Sequence, residues 1–286
     1  VFLVNSLAQI AAALALSNNK ANEAGVSVVN DVSRHAATNP FYFGQAGKEL
    51  FGLYEPPRGR VTRNEGVVLC YPAPQEYTYS HWIFAQLANQ LSRRGFHVLR
   101  FDYYATGDSA GESQEVSLSQ CRDDIVMAAQ ELRDLAGIST LNVVGMRVGA
   151  TLAAMVSASE SIFSKLILWD PVVVGRSYLN ELKAVHLSQR VQTGPDELLG
   201  FPFSPKLAAE TQAIDLLTLP CPKASQVSLF VSAPSSRFES LRSHLAAAHH
   251  RLDARVIHDD AVNPHHKAFD ESLLARAIPN AIVATL

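Results

Sequence analysis

The run Leu141-Asn-Val-Val-Gly145-Met-Arg147-Val-Gly149-Ala-Thr-Leu-Ala-Ala-Met-Val156 takes a short aliphatic strand straight into a helix of small residues. Only the turn from Gly145 to Gly149 separates them. A turn that tight brings its ends against the neighbouring strand and helix, where a β-carbon would collide, so glycine at both positions has a steric cause. Its central residue is Arg147, whose guanidinium stays protonated and has no nucleophilic lone pair.

Working outward, the aliphatic-strand pattern recurs at Val67–Tyr71, Val98–Phe101, Leu166–Trp169, Val227–Val231 and Arg255–Ile257. Helix-period stretches lie between most of these. Trp82, Phe84, Leu87, Ala88 and Leu91 share one face and end at Arg93-Arg94-Gly95, a basic last turn with a terminal glycine. Cys121 to Leu135 places Ile125, Ala128, Ala129 and Leu132 together. Continuous apolar strands alternating with amphipathic helices predict an α/β fold with a mostly parallel sheet covered on both faces. Phe41–Phe43 and Leu50–Tyr54 flank Gly47-Lys48 and predict an antiparallel hairpin ahead of it. One interval, about 172–222, is twice the usual length. It contains Gly200-Phe-Pro-Phe-Ser-Pro205, which cannot be a long helix, and is expected to form a cap.

The 286 residues carry 24 Lys plus Arg against 27 Asp plus Glu, a net charge of −3. That balance excludes a charged disordered tail and speaks against nucleic acid as a partner. Cys70, Cys121 and Cys221 are too few and too scattered for a disulfide framework or a zinc site. No metal or organic cofactor is implied, and the phosphate-cradling glycine patterns are absent. A cytoplasmic location is the default expectation. Residues 1–39 read as an apolar helix followed by a linker arm, and 40–286 as one α/β domain. Val1–Leu16 is shorter than the ~20 apolar residues of a membrane span. It is expected to pack on the body or on a second copy, giving a homo-oligomer, with a trimmed signal as the alternative.

A literal Gly-x-Ser-x-Gly occurs at Gly107-Asp108-Ser109-Ala110-Gly111. It lies in a loop past its strand, and Leu118 begins the next apolar period, so no helix follows the serine directly. The strand-turn-helix at Gly145–Gly149 instead has the architecture of the nucleophile elbow of α/β-hydrolases. The run Arg100-Phe-Asp-Tyr-Tyr-Ala-Thr-Gly-Asp-Ser-Ala-Gly111 resembles the F-D-Y-R-G-x-G-D-S-x-G loop of the same superfamily. Together with Val68–Tyr77 and Trp169–Leu179 it is most similar to the serine aminopeptidase-like branch, which includes exosortase-associated hydrolase-like proteins. The resemblance spans about residues 40 to 275. It implies an α/β-hydrolase fold, with Arg147 at the nucleophile position.

The same resemblance implies a general base after the last strand, where His265 and His266 stand, with His258 nearer the strand end. The acid that normally follows the strand ending near Val231 is missing. Glu239 falls inside the next helix, and Asp170 is the other option, read also as an Asp-Pro strand terminator. Val148 and Ala73 would supply oxyanion-hole N–H groups. Pro72 and Pro74 bracket Ala73 and have no N–H to give. Glu76 and His81 are expected to line the pocket mouth. Arg147 either pairs with Glu76 or Asp170 to hold the elbow closed, or binds an anionic ligand. Two functions follow. One is a protein without serine chemistry that binds an acyl or carboxylate ligand or a partner. The other is an active ester, thioester or amide hydrolase using another nucleophile, or water with His265 or His266.

Overall fold

The structure, a computed structural model, describes residues 38–258, apart from 73, 189–193, 195 and 249–250, together with 276–286. Residues 1–37, for which an apolar helix and arm were expected, lie outside the described residues, as do His265 and His266.

Strands β1 (Asn39–Phe43) and β2 (Leu50–Glu55) form the expected hairpin. Then follow β3 (Glu65–Cys70), α1 (Pro74–Arg93), β4 (His97–Phe101), α2 (Leu118–Ala136), β5 (Thr140–Met146), α3 (Val148–Ser159) and β6 (Lys165–Trp169). The long interval contains α4 (Gly175–Ser188), a small hairpin β7 (Glu197–Leu198) and β8 (Phe201–Pro202), and α5 (Pro205–Gln212). The chain closes with β9 (Gln226–Val231), α6 (Ser236–Ala246), β10 (Leu252–Val256) and α7 (Ala277–Thr285).

Among the described residues the main sheet has eight strands in the order β1-β2-β4-β3-β5-β6-β9-β10. It is parallel from β4 to β10 and antiparallel at β1 and β2. From β3 the chain steps one way to β4, then back across β3 to β5. Right-handed crossovers therefore put α1 on one face and α2 and α3 on the other. The strand order reverses beside β3, and the crevice at such a reversal is where open α/β sheets bind ligands.

The burial pattern explains the aliphatic runs. Val67, Val68, Leu69 and Cys70 of β3 are fully buried because helices cover both faces. On α1, Phe84, Leu87, Ala88 and Leu91 are buried as predicted, but Trp82 is 53% exposed and does not belong to that face. Phe84 fills the place beneath the sheet instead, stacking with Trp169 of β6 at 6.3 Å. On α2, Ile125, Ala128, Ala129 and Leu132 are buried; Ser117 caps its start, and Gly137 closes its end at φ 62°.

Candidate functional site

The turn from β5 to α3 is built as its sequence requires. A β-carbon on Gly145 would stand 2.5 Å from the Ala150 backbone, and one on Gly149 would stand 2.2 Å from the Tyr71 carbonyl oxygen. Arg147 sits at the apex with φ 53° and ψ −121°, a conformation that costs a side-chain-bearing residue about 1–3 kcal/mol. Its N–H donates to the Trp169 carbonyl at 2.9 Å, tying the apex to β6. Asp170, one residue beyond β6, is also at positive φ (44°).

The Arg147 side chain makes the ion pair that was one of the two expectations. Its Nε donates to Glu76 Oε1 at 2.9 Å, and Tyr178 Oη donates to the other carboxylate oxygen at 3.0 Å. The guanidinium lies over the Tyr178 ring, 5.3 Å from its centre. Glu76 is 3% exposed, and the two donors that meet its carboxylate, one of them the guanidinium, offset the cost of burying it. Burial works against the Arg147 charge, but Glu76 and the Tyr178 oxygen outweigh it and raise its pKa. Burial, then Glu76, pushes the Tyr178 phenol well above its ordinary value.

Asp170 does not take this cation with its carboxylate. Only its backbone oxygen faces Arg147 Nη1, at 3.5 Å, while Oδ1 accepts the Ser232 N–H at 2.8 Å. It therefore closes the gap between β6 and β9 as a strand terminator. Burial raises its carboxyl pKa, and the Ser232 N–H and Arg147 offset that in part. Glu239 is on the exposed side of α6, paired with Arg242, away from the elbow. His258 is exposed beyond β10. His81 stacks on Tyr71 at 6.3 Å, its Nδ1 buried without a hydrogen-bond partner, and its pKa is lowered by burial and by Arg100. Glu76 is buried as the partner of Arg147.

Ser109 is structural. Its Oγ donates to the Asp102 carbonyl at 2.7 Å and accepts the Phe51 N–H at 2.9 Å, so both directions are occupied holding the loop to β2.

Two cavities flank the elbow. The larger, about 250 Å³, is mostly apolar and adjoins Val148, Leu152, Cys121, Phe203 and Leu207, with Asp102 and Tyr77 as polar groups in its wall. Asp102 is fixed there by the Tyr77 hydroxyl at 2.9 Å and the Asp108 N–H at 3.0 Å, and burial raises its pKa. The insertion supplies one wall through Phe201–Phe203, Leu207 and Thr211. Glu210 of α5 anchors it, accepting the Leu118 N–H at 2.6 Å and the Ser119 hydroxyl at 2.8 Å at the start of α2. The smaller cavity, about 130 Å³, is lined by Arg147, Asp170, Glu181, Ser235 and Arg237. Tyr178 borders both. Tyr178 and Asp102 were not singled out from sequence. Asp102 carried a signal, its position at the carboxyl end of a strand beside the reversal. Tyr178 carried none, because only the packing of α4 brings it to Arg147.

Among the described residues, no group of His, Cys, Asp and Glu could hold a metal ion, and no helix is long and apolar enough to cross a membrane.

This geometry is that of an α/β-hydrolase fold. An esterase from Pyrococcus furiosus matches 87% of this chain and 88% of its own length with a TM-score of 0.62 at 13% identity. Est1E from Butyrivibrio proteoclasticus matches 86% of this chain and 98% of its own with a TM-score of 0.60, also at 13% identity. At the level of sequence, residues 56–216, more than half of the chain, match the family model described as acyl transferase. The chain belongs to that family. It is 30% identical over 117 residues to an acyl transferase of Shewanella hanedai, covering 40% of this chain and 37% of the relative. Over 145 residues it is 28% identical to an acyl transferase of Photobacterium leiognathi, covering 50% and 46%. The aligned part spans less than half the length of these curated relatives.

Proposed function

We propose that this chain binds an acyl group in the cavity beside Val148 and performs no serine-hydrolase chemistry, its elbow residue having become a structural cation. The observation carrying this reading is the division of the elbow. Val148 lines a mostly apolar cavity, while Arg147 lines the other one and is tied to Glu76. A mostly apolar cavity with few polar groups favours an alkyl chain, at about 0.8 kcal/mol per buried methylene. Membership of the acyl transferase family supports an acyl ligand. The insertion acts as a cap over it, and the resemblance to the serine aminopeptidase-like branch and a cytoplasmic location belong to the same reading.

The likeness to esterases carries the competing reading, in which His265 or His266 activates water or another nucleophile. A fluorophosphonate probe and a short-chain aryl ester separate the two. Neither labelling nor turnover is expected, whereas decanoate should bind, and Leu207→Trp, which fills the cavity, should weaken it at least tenfold. Labelling of a serine, or ester turnover abolished by His265→Ala or His266→Ala, would overturn the proposal.

A further inference from the structure

The smaller cavity is the more polar of the two, its charged groups set among Val172, Val173, Leu229 and Phe238, and nothing in an acyl-binding role uses it. Arg147 and Arg237 bring two guanidiniums to it, and Asp170 and Glu181 two carboxyl groups. Each cation has one carboxylate partner: Arg147 Nε meets Glu76, and Arg237 Nη1 meets Glu181 Oε1 at 2.9 Å. A guanidinium carries five N–H donors, so most of theirs are left over. Asp170 accepts the Ser232 N–H on Oδ1, and the Ser232 and Trp169 side chains also face its carboxyl. Spare donors therefore come from both cations, with the Asp170 carboxyl beside them as the acceptor. Glu76 and Glu181 already neutralise the two arginines, so bare electrostatic attraction for a small anion is weak. Directed hydrogen bonding is what this surface offers.

The two cavities also belong together. Arg147 and Val148 are consecutive, one lining each cavity, and Tyr178 is a wall of both. We propose that they are two halves of one site for an amphipathic acyl amide. Its alkyl chain fills the apolar half, and its amide crosses at Tyr178. A carboxylate on its head takes the spare N–H groups of Arg147 and Arg237, and its amide N–H is accepted by Asp170. This rests on the acyl-binding reading above and narrows it: a plain fatty acid would fill only one half. Arg237 is then a specificity-determining residue, with a carboxylate partner of its own in Glu181, so that altering it leaves the Arg147–Glu76 bond in place. Its side chain is 48% exposed, so removing it leaves no buried charge behind.

Calorimetric titration of the full chain with decanoate, N-decanoylglycine and glycine tests both levels. N-decanoylglycine is expected to bind at least tenfold more tightly than decanoate, about the contribution of one charge-assisted hydrogen bond. Arg237→Ala should reduce that preference below threefold. Equal affinity of the two acyl compounds, or a preference that survives Arg237→Ala, would overturn the two-part site and leave acyl binding standing. If neither acyl compound binds, the acyl reading itself falls and takes this one with it. Glycine binding alone, without its acyl conjugate, would make the polar half an independent site and overturn the proposal too.

Discussion

The chain contains two stretches of the form Gly-x-x-x-Gly, and they exchange the properties a motif search would expect of them. Gly107–Gly111 has serine at its centre, yet it is a loop in which Ser109 Oγ is committed to the Phe51 N–H and the Asp102 carbonyl. Gly145–Gly149 has arginine at its centre, yet it has the strand, the strained apex and the helix start of a nucleophile elbow. Letters and geometry have come apart. What identifies the elbow is what surrounds each glycine, and this difference can be measured.

A β-carbon on Gly149 would meet the backbone oxygens of Tyr71 and Cys70 at 2.2 and 2.3 Å, both at the end of a central strand that cannot shift. On Gly107 it would meet the Asp102 carboxylate, a side chain that the Tyr77 hydroxyl and the Asp108 N–H hold in place. Gly149→Ala, which must displace backbone, should therefore cost about 3 kcal/mol or more, and Gly107→Ala, strained by its φ of 54° and by displacing that side chain, about 1–2 kcal/mol. Urea unfolding of the two variants measures the contrast. Equal losses would mean that the elbow is no more constrained than the loop.

The next largest effect concerns the centre of the elbow. Arg147→Met leaves Glu76 buried with only the Tyr178 hydroxyl, and should cost about 3 kcal/mol. Replacing both partners, Arg147→Met with Glu76→Met, should return most of that, since an apolar pair of similar size needs no compensating charge. A double variant as unstable as the single one would show that Arg147 stabilises the elbow by something other than this pair.

Much of the fold could be read in advance because it follows from local patterns. Aliphatic runs became central strands, and the face of Ile125, Ala128, Ala129 and Leu132 became buried. The insertion was visible from the spacing of those runs. Trp82 was misassigned because helical periodicity places a residue on an edge without saying whether anything covers that edge. The site was legible only in part. The elbow and the Arg147–Glu76 alternative could be stated from sequence, since both residues follow strands adjacent in any sheet of this kind. That Glu76 would win over the Asp170 carboxylate could not, because Asp170 is claimed by the Ser232 N–H across a strand gap. The role of Tyr178 depends on how the insertion folds back, and that is set by tertiary contacts such as Glu210 on the start of α2.

Ser109 provides a smaller effect on the other side of the comparison. Ser109→Ala removes two hydrogen bonds and leaves the Phe51 N–H without its acceptor, which should cost about 1–2 kcal/mol. Decanoate affinity and the absence of probe labelling should be unchanged. A loss of ligand binding or of any catalytic activity larger than the loss of stability would return the serine to the candidate site.

The smallest effect is best read as a sign. Burial raises the Asp170 carboxyl pKa, so the folded chain keeps this proton at pH values where the unfolded chain, with its aspartates near about 3.9, has released it. The stabilisation linked to this group is thus fully present below the ordinary aspartate pKa and is lost as pH rises through the raised one. Asp170→Asn keeps an oxygen to accept the Ser232 N–H and removes the titration. The variant should gain stability relative to the parent as pH rises from about 4 to about 7, by no more than about 1 kcal/mol. Unfolding curves across that range decide it. A gap that stays constant or moves the other way would mean that Arg147, beside the Asp170 backbone oxygen at 3.5 Å, stabilises the ionised carboxylate enough to cancel the effect of burial. In that event the elbow cation would serve two acids, Glu76 through a direct bond and Asp170 through its field.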